Sequence, residues 1–164
     1  MTLRGTLVLY AVLAVLAAYL LIVPPPAPPP GPESLLGVPV ESADTIEIAW
    51  PDAAVRFRRS DGSWRSDAGA VAPAAIDELL EALAMLRPTE NLGAPQEPAD
   101  YGLDARATRV VVSAAGEPVA SLEVGDRNPA WTGVYVRRTG SNDVVVVGAL
   151  LHWELEKLRA VATP

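Results

Sequence analysis

The one histidine, His152, is the first residue to test for chemistry, because an imidazole titrates near neutral pH. It stands in "ALLHWELEKLRAV", off the face made by Leu151, Leu155 and Leu158. A general-base histidine needs an orienting partner and a nucleophile within reach. Neither is evident in the sequence, so His152 reads as a rim residue. One histidine and no cysteine exclude metal sites built from His or Cys clusters, disulfides and thiol catalysis. Carboxylates come next. Asp77, Glu78 and Glu81 share one helix surface, and Glu154 and Glu156 another. Paired carboxylates in a cleft can act as acid and base; on helices of this kind they read as the solvated face. The segment "VGDRNPAWTG" holds Gly125, Asp126, Asn128 and Gly133. Its oxygen ligands suit calcium, but the spacing is not that of an EF-hand. It reads as a structural loop between strands, with Trp131 exposed for contact. No Walker or Rossmann glycine pattern is present. Catalytic, cofactor-binding and metal-binding residues are therefore assigned to none, and no cofactor is expected. The candidate partner contacts are Trp131, Arg127, Trp153, Tyr10 and Tyr19.

Charge narrows the partner class. The net charge is −7, and only Arg4 precedes the proline tract, so 12 basic and 20 acidic residues follow it, a net of −8. Such a domain is repelled by nucleic acid and by anionic headgroups. Nucleic-acid binding is set aside. Arg56, Arg58, Arg59 and Arg65 form the one basic cluster, which reads as the solvated face of a hairpin.

The elements that position these residues begin with an apolar run. No charge occurs from Gly5 to Val23. As a helix, that stretch would be about 28 Å long, close to a bilayer core. Arg4 and the amino terminus put the N-terminus in the cytoplasm by the positive-inside rule. A cleaved signal peptide is the rival, but its apolar region would be shorter and end in small residues. Pro24 ends the helix. The tract "PPPAPPPGP" then favours polyproline II, roughly 28 Å of semi-rigid reach. The expected organisation is a cytoplasmic tip and transmembrane anchor over 1–23, a Pro-rich spacer over 24–42 and an extracytoplasmic α+β domain over 43–164. The expected location is a bacterial inner membrane, with the C-terminal domain in the periplasm.

In the domain, "DTIEIAW" alternates with Ile46, Ile48 and Trp50 on one face, the period of a half-buried strand. "AVRFRRSDGSWRS" adds a hairpin turning at Asp61-Gly62. "VAPAAIDELLEALAMLRP" predicts a helix with Ile76, Leu79, Leu80, Leu83 and Leu86 inward, Arg87 at its carboxyl end and Pro88 as its stop. "TENLGAPQEPADYGLDARA" reads as a connector. Two further hairpins follow, around Ala115-Gly116-Glu117 and around Gly140 to Asn142. Val144 to Val147 read as a strand covered on both faces. A final helix carries Trp153 beside its leucine face. The order β-β-β-α, β-β-β-β-α predicts an α+β fold: antiparallel sheet with two helices on one face, as two β-meander-plus-helix halves. Whether the two β regions form one sheet or two is left open.

Several segments, in order, resemble the bacterial domain of unknown function 4340 family: "ADTIEIAWPD", "RRSDGSWRS", "AIDELLEALAMLR", "ADYGLD", "VGD" followed by "GVYVR", and "LEKLRA". The resemblance covers about residues 43 to 160. Where members often carry proline shortly after "YGLD", this chain has Ala105 and Arg106. The resemblance implies a membrane-anchored protein with its domain outside the cytoplasm, in some cases encoded beside components of gliding-type ABC transport systems. It supplies no catalytic residues.

These readings together predict a non-enzymatic accessory subunit. Its periplasmic domain would dock on integral-membrane subunits of a transport or energy-converting assembly, with residues 5–23 in the bilayer. The alternative is a tethered sensor or carrier that binds a small ligand in a cleft between the two β regions.

Overall fold

Alternating apolar residues build the first three strands: β1 (Thr45–Ala49), β2 (Ala54–Ser60) and β3 (Ser63–Ser66). The computed structural model describes residues 42–67 and 72–162. The anchor expected over 1–23, with Tyr10 and Tyr19, and the spacer up to residue 41 lie outside the described residues. Among the described residues no helix is long and apolar enough to cross a membrane.

Ile46, Ile48, Val55 and Phe57 are fully buried on one face of these strands. Glu47, Arg56 and Arg58 are on the other. Asp61 and Gly62 turn β2 into β3 with φ of 54° and 77°, the left-handed pair that a two-residue hairpin requires. Helix α1 (Pro73–Ala84) follows, with Pro73 at its first turn. It buries Ile76, Leu79, Leu80 and Leu83, the spacing the sequence predicts.

Here the structure departs from the sequence reading. Helix α1 stops at Ala84, so Arg87 lies beyond the helix and Pro88 opens a strand instead of closing a helix. That strand, β4 (Pro88–Gly93), takes up the first five residues of what reads as connector. The 3-10 turn Pro98–Tyr101 leads to the second meander: β5 (Thr108–Ala114), β6 (Glu117–Arg127), β7 (Gly133–Arg138) and β8 (Val144–Gly148). Helix α2 (Leu150–Ala162) closes the domain.

All eight strands form one antiparallel sheet in the order β3-β2-β1-β5-β6-β7-β8-β4. β1 pairs directly with β5, Ile46 opposite Val112 and Ile48 opposite Val110. The junction of the two β regions is therefore a hydrogen-bonded ladder, and an open hollow of about 420 Å³ lies against it, lined by Glu47, Ala49, Arg56, Arg109 and Val111 among others. Asp44 secures this junction. Its backbone N–H donates to Ser113 O at 3.0 Å, and its Oδ2 accepts from Ala115 N at 2.6 Å.

One face of the sheet, with α1 and α2, makes the main core. Leu151, Leu155 and Leu158 of α2 are buried there, and α2 also packs against α1. Val144 to Val147 are all buried. Val145 and Val147 belong to the helix-side core, whereas Val144 and Val146 face the other side. The strand is thus covered on both faces, as its continuous apolar run implies.

Candidate functional site

The cover on the outer face is the connector itself, held by two glycines. Gly102 follows the 3-10 turn with φ of 69°, and its N–H donates to Ala99 O at 3.0 Å. A Cβ there would fall 2.5 Å from Asp126 Cγ. A Cβ on Gly125 would fall 2.1 Å from Tyr101 O. The two motifs "ADYGLD" and "VGD" are therefore one contact, backbone against backbone, with no room for a side chain at either glycine. Tyr101 meets Tyr135 edge to face at 4.8 Å, and Leu103 is buried. Arg106 binds both oxygens of Asp104 through Nε at 3.1 Å and reaches Ala99 O. The Arg106 N–H and then its guanidinium hold the Asp104 carboxyl below the ordinary carboxylate range. Arg137 ties the same layer to β6. It donates to Glu123 Oε2 at 2.6 Å and to Leu103 O at 3.4 Å.

The exposed site lies at the end of β6. A bulge between Val124 and Arg127 places Arg127 opposite Val134. Val134 belongs to the helix-side core, so the extra residue turns Arg127 toward α2 instead of the outer face. Strand β6 therefore runs further than the sequence suggests, and only 128–132 form the loop. Asn128 shapes that loop. Its Oδ1 accepts from Thr132 N at 2.9 Å and Gly133 N at 3.1 Å, and its Nδ2 donates to Thr132 Oγ1 at 3.0 Å. Trp131 N donates to Asn128 O at 2.9 Å. The staple holds Trp131 at φ 61°, a conformation a bulky residue seldom adopts.

The Arg127 guanidinium then lies 4.0 Å from the Trp131 ring centroid and 5.0 Å from that of Trp153 on α2. Both tryptophans remain more than half exposed, at 66% and 52%, and Leu150 at the start of α2 is 56% exposed. Arg127 Nε is buried and has no hydrogen-bond partner among the described residues. The structure thus brings together three of the five candidate contacts, Trp131, Arg127 and Trp153; Tyr10 and Tyr19 fall outside the described residues. A cation between two indole faces is held by their quadrupoles, and an outward-facing Trp-Arg-Trp cluster has the composition of an interface hot spot.

His152 is half-buried at the edge of this cluster, 5.5 Å from the Trp153 ring. Burial lowers its pKa from 6.5; Glu156 opposes the shift and Arg127 adds to it. A histidine whose folded pKa is depressed resists protonation in the native state. Thermal stability should therefore fall as pH drops below about 6.5, and the fall should be smaller in His152→Gln. Melting both proteins between pH 7 and 5 tests this.

The carboxylates also separate. Glu78 and Asp77 are exposed; Asp77 accepts from Trp64 Nε1 at 3.2 Å. Glu154, expected on a solvated face, is buried at 5% exposure. Lys157 meets both its oxygens, at 2.9 and 3.0 Å, and bridges to Glu78 at 3.2 Å. A buried carboxylate with a charged partner one turn away is a structural ion pair. Among those residues, no group of three or more His, Asp or Glu side chains could hold a metal ion.

Neither a curated protein nor a solved structure matches the chain. A family model does, over residues 35–160, and the match begins ahead of β1 and runs almost to the end of α2. The chain belongs to the family described as Domain of unknown function (DUF4340).

Proposed function

We propose that this protein is a membrane-anchored accessory subunit that does no catalysis and docks its extracytoplasmic domain on a larger integral-membrane complex through the Trp131-Arg127-Trp153 cluster. One observation carries the reading: Arg127 is stacked by two tryptophans that remain more than half exposed. Exposing two indoles costs solubility unless something covers them. Holding Trp131 in left-handed backbone adds a further cost, offset by the Asn128 staple. The loop is thus pre-shaped, which lowers the ordering cost of association.

The apolar run 5–23 supports tethering in the bilayer of a bacterial inner membrane, with the N-terminus in the cytoplasm. The proline tract that follows would hold the domain at a set height on the periplasmic side. Tethering raises effective concentration, so a small contact suffices. The acidic balance of the domain disfavours nucleic acid as the partner.

The test is purification of the full chain, tagged at its C-terminus, in mild detergent. A membrane partner in constant ratio is the expected result. The double variant Trp131→Ala, Trp153→Ala should keep the wild-type melting temperature and bind that partner at least about 10-fold more weakly. A folded double variant that keeps the full ratio removes the cluster from the interface. A lone monomer carrying a bound small molecule overturns the reading.

A further inference from the structure

We propose an oxyanion-binding site for a phosphate-type group on the outer face of the β2-β3 hairpin, formed by Arg58 and Arg65 with Arg56. The register places Arg58 directly opposite Arg65. Their Cβ atoms are then about 5 Å apart on one face, where like charges repel. Neither side chain has an ion-pair or hydrogen-bond partner among the described residues. Arg56, Arg106, Arg109, Arg137, Lys157 and Arg159 each meet a carboxylate, and acids outnumber bases.

The two guanidinium groups border a hollow of about 340 Å³, shared with Arg56, Ser60, Ser66 and Asp67. The Asp67 carboxylate borders the hollow too, and its Oδ1 accepts from Arg56 N at 2.9 Å, which ties it to the backbone of β2. Arg56 is held at the rim by Glu47 at 2.7 Å. Two guanidinium forks with no ion-pair partner, opening to solvent, suit the acceptor oxygens of a tetrahedral oxyanion. The tight Asp61-Gly62 turn fixes the register, so repulsion between the two arginines is not relieved by slippage. A bound anion relieves it.

The experiment uses the full chain in neutral detergent, with sodium phosphate compared against sodium chloride at equal ionic strength. Phosphate should raise the melting temperature of the wild type above the chloride value. The double variant Arg58→Gln, Arg65→Gln should lose that difference, with apparent affinity reduced at least about 10-fold. Its melting temperature in chloride should match or exceed the wild type, because the repelling pair is gone. A second arm places both proteins in nanodiscs of phosphatidylcholine, alone or mixed with phosphatidylglycerol, and follows hydrogen exchange over residues 54–67. Slowing by phosphatidylglycerol in the wild type alone identifies the source as a lipid headgroup. A phosphate response without it identifies a free phosphate. Equal responses in wild type and variant, or none in either arm, overturn the site.

Discussion

Replacing Gly125 with alanine is expected to destabilise the domain by about 3 kcal/mol and to free the connector from the sheet. The new Cβ would meet the Tyr101 carbonyl oxygen at 2.1 Å, with Gly102 C and Leu103 Cγ both at 3.1 Å. Two of these three atoms are backbone, so no rotamer change relieves the clash. Either β6 shifts within the sheet or residues 98–104 lift. Lifting is the softer response, since the turn touches the sheet chiefly here and at Tyr135. It would expose Leu103. Chemical denaturation reads the stability, and hydrogen exchange at residues 98–106 reads the lift. Gly148→Ala is the control: nothing lies within 4 Å of its Cβ position and its φ is not left-handed. That variant should be near neutral. A Gly125→Ala protein as stable as the control, with exchange at 98–106 unchanged, contradicts the packing described.

The second large effect is in the main core. Phe57→Ala should cost about 3–5 kcal/mol. Phe57 has no exposed surface, stands opposite Ile46 on the helix-facing side and is the largest of the fully buried side chains. Its neighbours are anchored in strands on both sides, so the cavity cannot collapse easily. A typical domain has about 5–15 kcal/mol in total, so the variant is expected to be marginal at 37 °C. The urea midpoint should fall with an unchanged slope, since the surface exposed on unfolding is nearly the same. Phe57→Leu, which keeps most of the volume, should retain most of the stability. A Phe57→Ala loss below about 1 kcal/mol would show that the side chain is not packed as described.

Local signals in this sequence translated faithfully into structure. Asp61-Gly62 and Ala115-Gly116 both turn their hairpins with left-handed pairs. The alternation at Ile46 and Ile48, the leucine spacing of α1 and the valine run of β8 all report burial by near neighbours in the chain. What escaped reading was decided at long range. "PTENLG" shows no apolar alternation because β4 is an edge strand with no fully buried side chain. It is a strand only because β8 offers it a ladder, as in the bond from Thr89 Oγ1 to Val146 O. Gly125 and Asp126 are poor strand formers, so β6 reads as ending early. Their place in the strand follows from the bulge and from the turn that packs on it. Glu154 follows the same rule, since its burial depends on α1 lying alongside α2. For the candidate site, the residue types of Arg127, Trp131 and Trp153 were legible singly. The stacking was not, because it joins a strand end, a loop and a helix.

The position of β4 also dictates an order of assembly. It lies at the far edge of the sheet, next to a strand more than fifty residues downstream, and β8 comes after all the others in the chain. A polypeptide delivered amino end first therefore holds β4 idle until β8 has arrived, and α1 likewise lacks the helix that lies beside it. Closing such distant loops is slow. The sheet edge and the helix layer should accordingly close only after β8 and α2 have been made, although the strands before them can already pair.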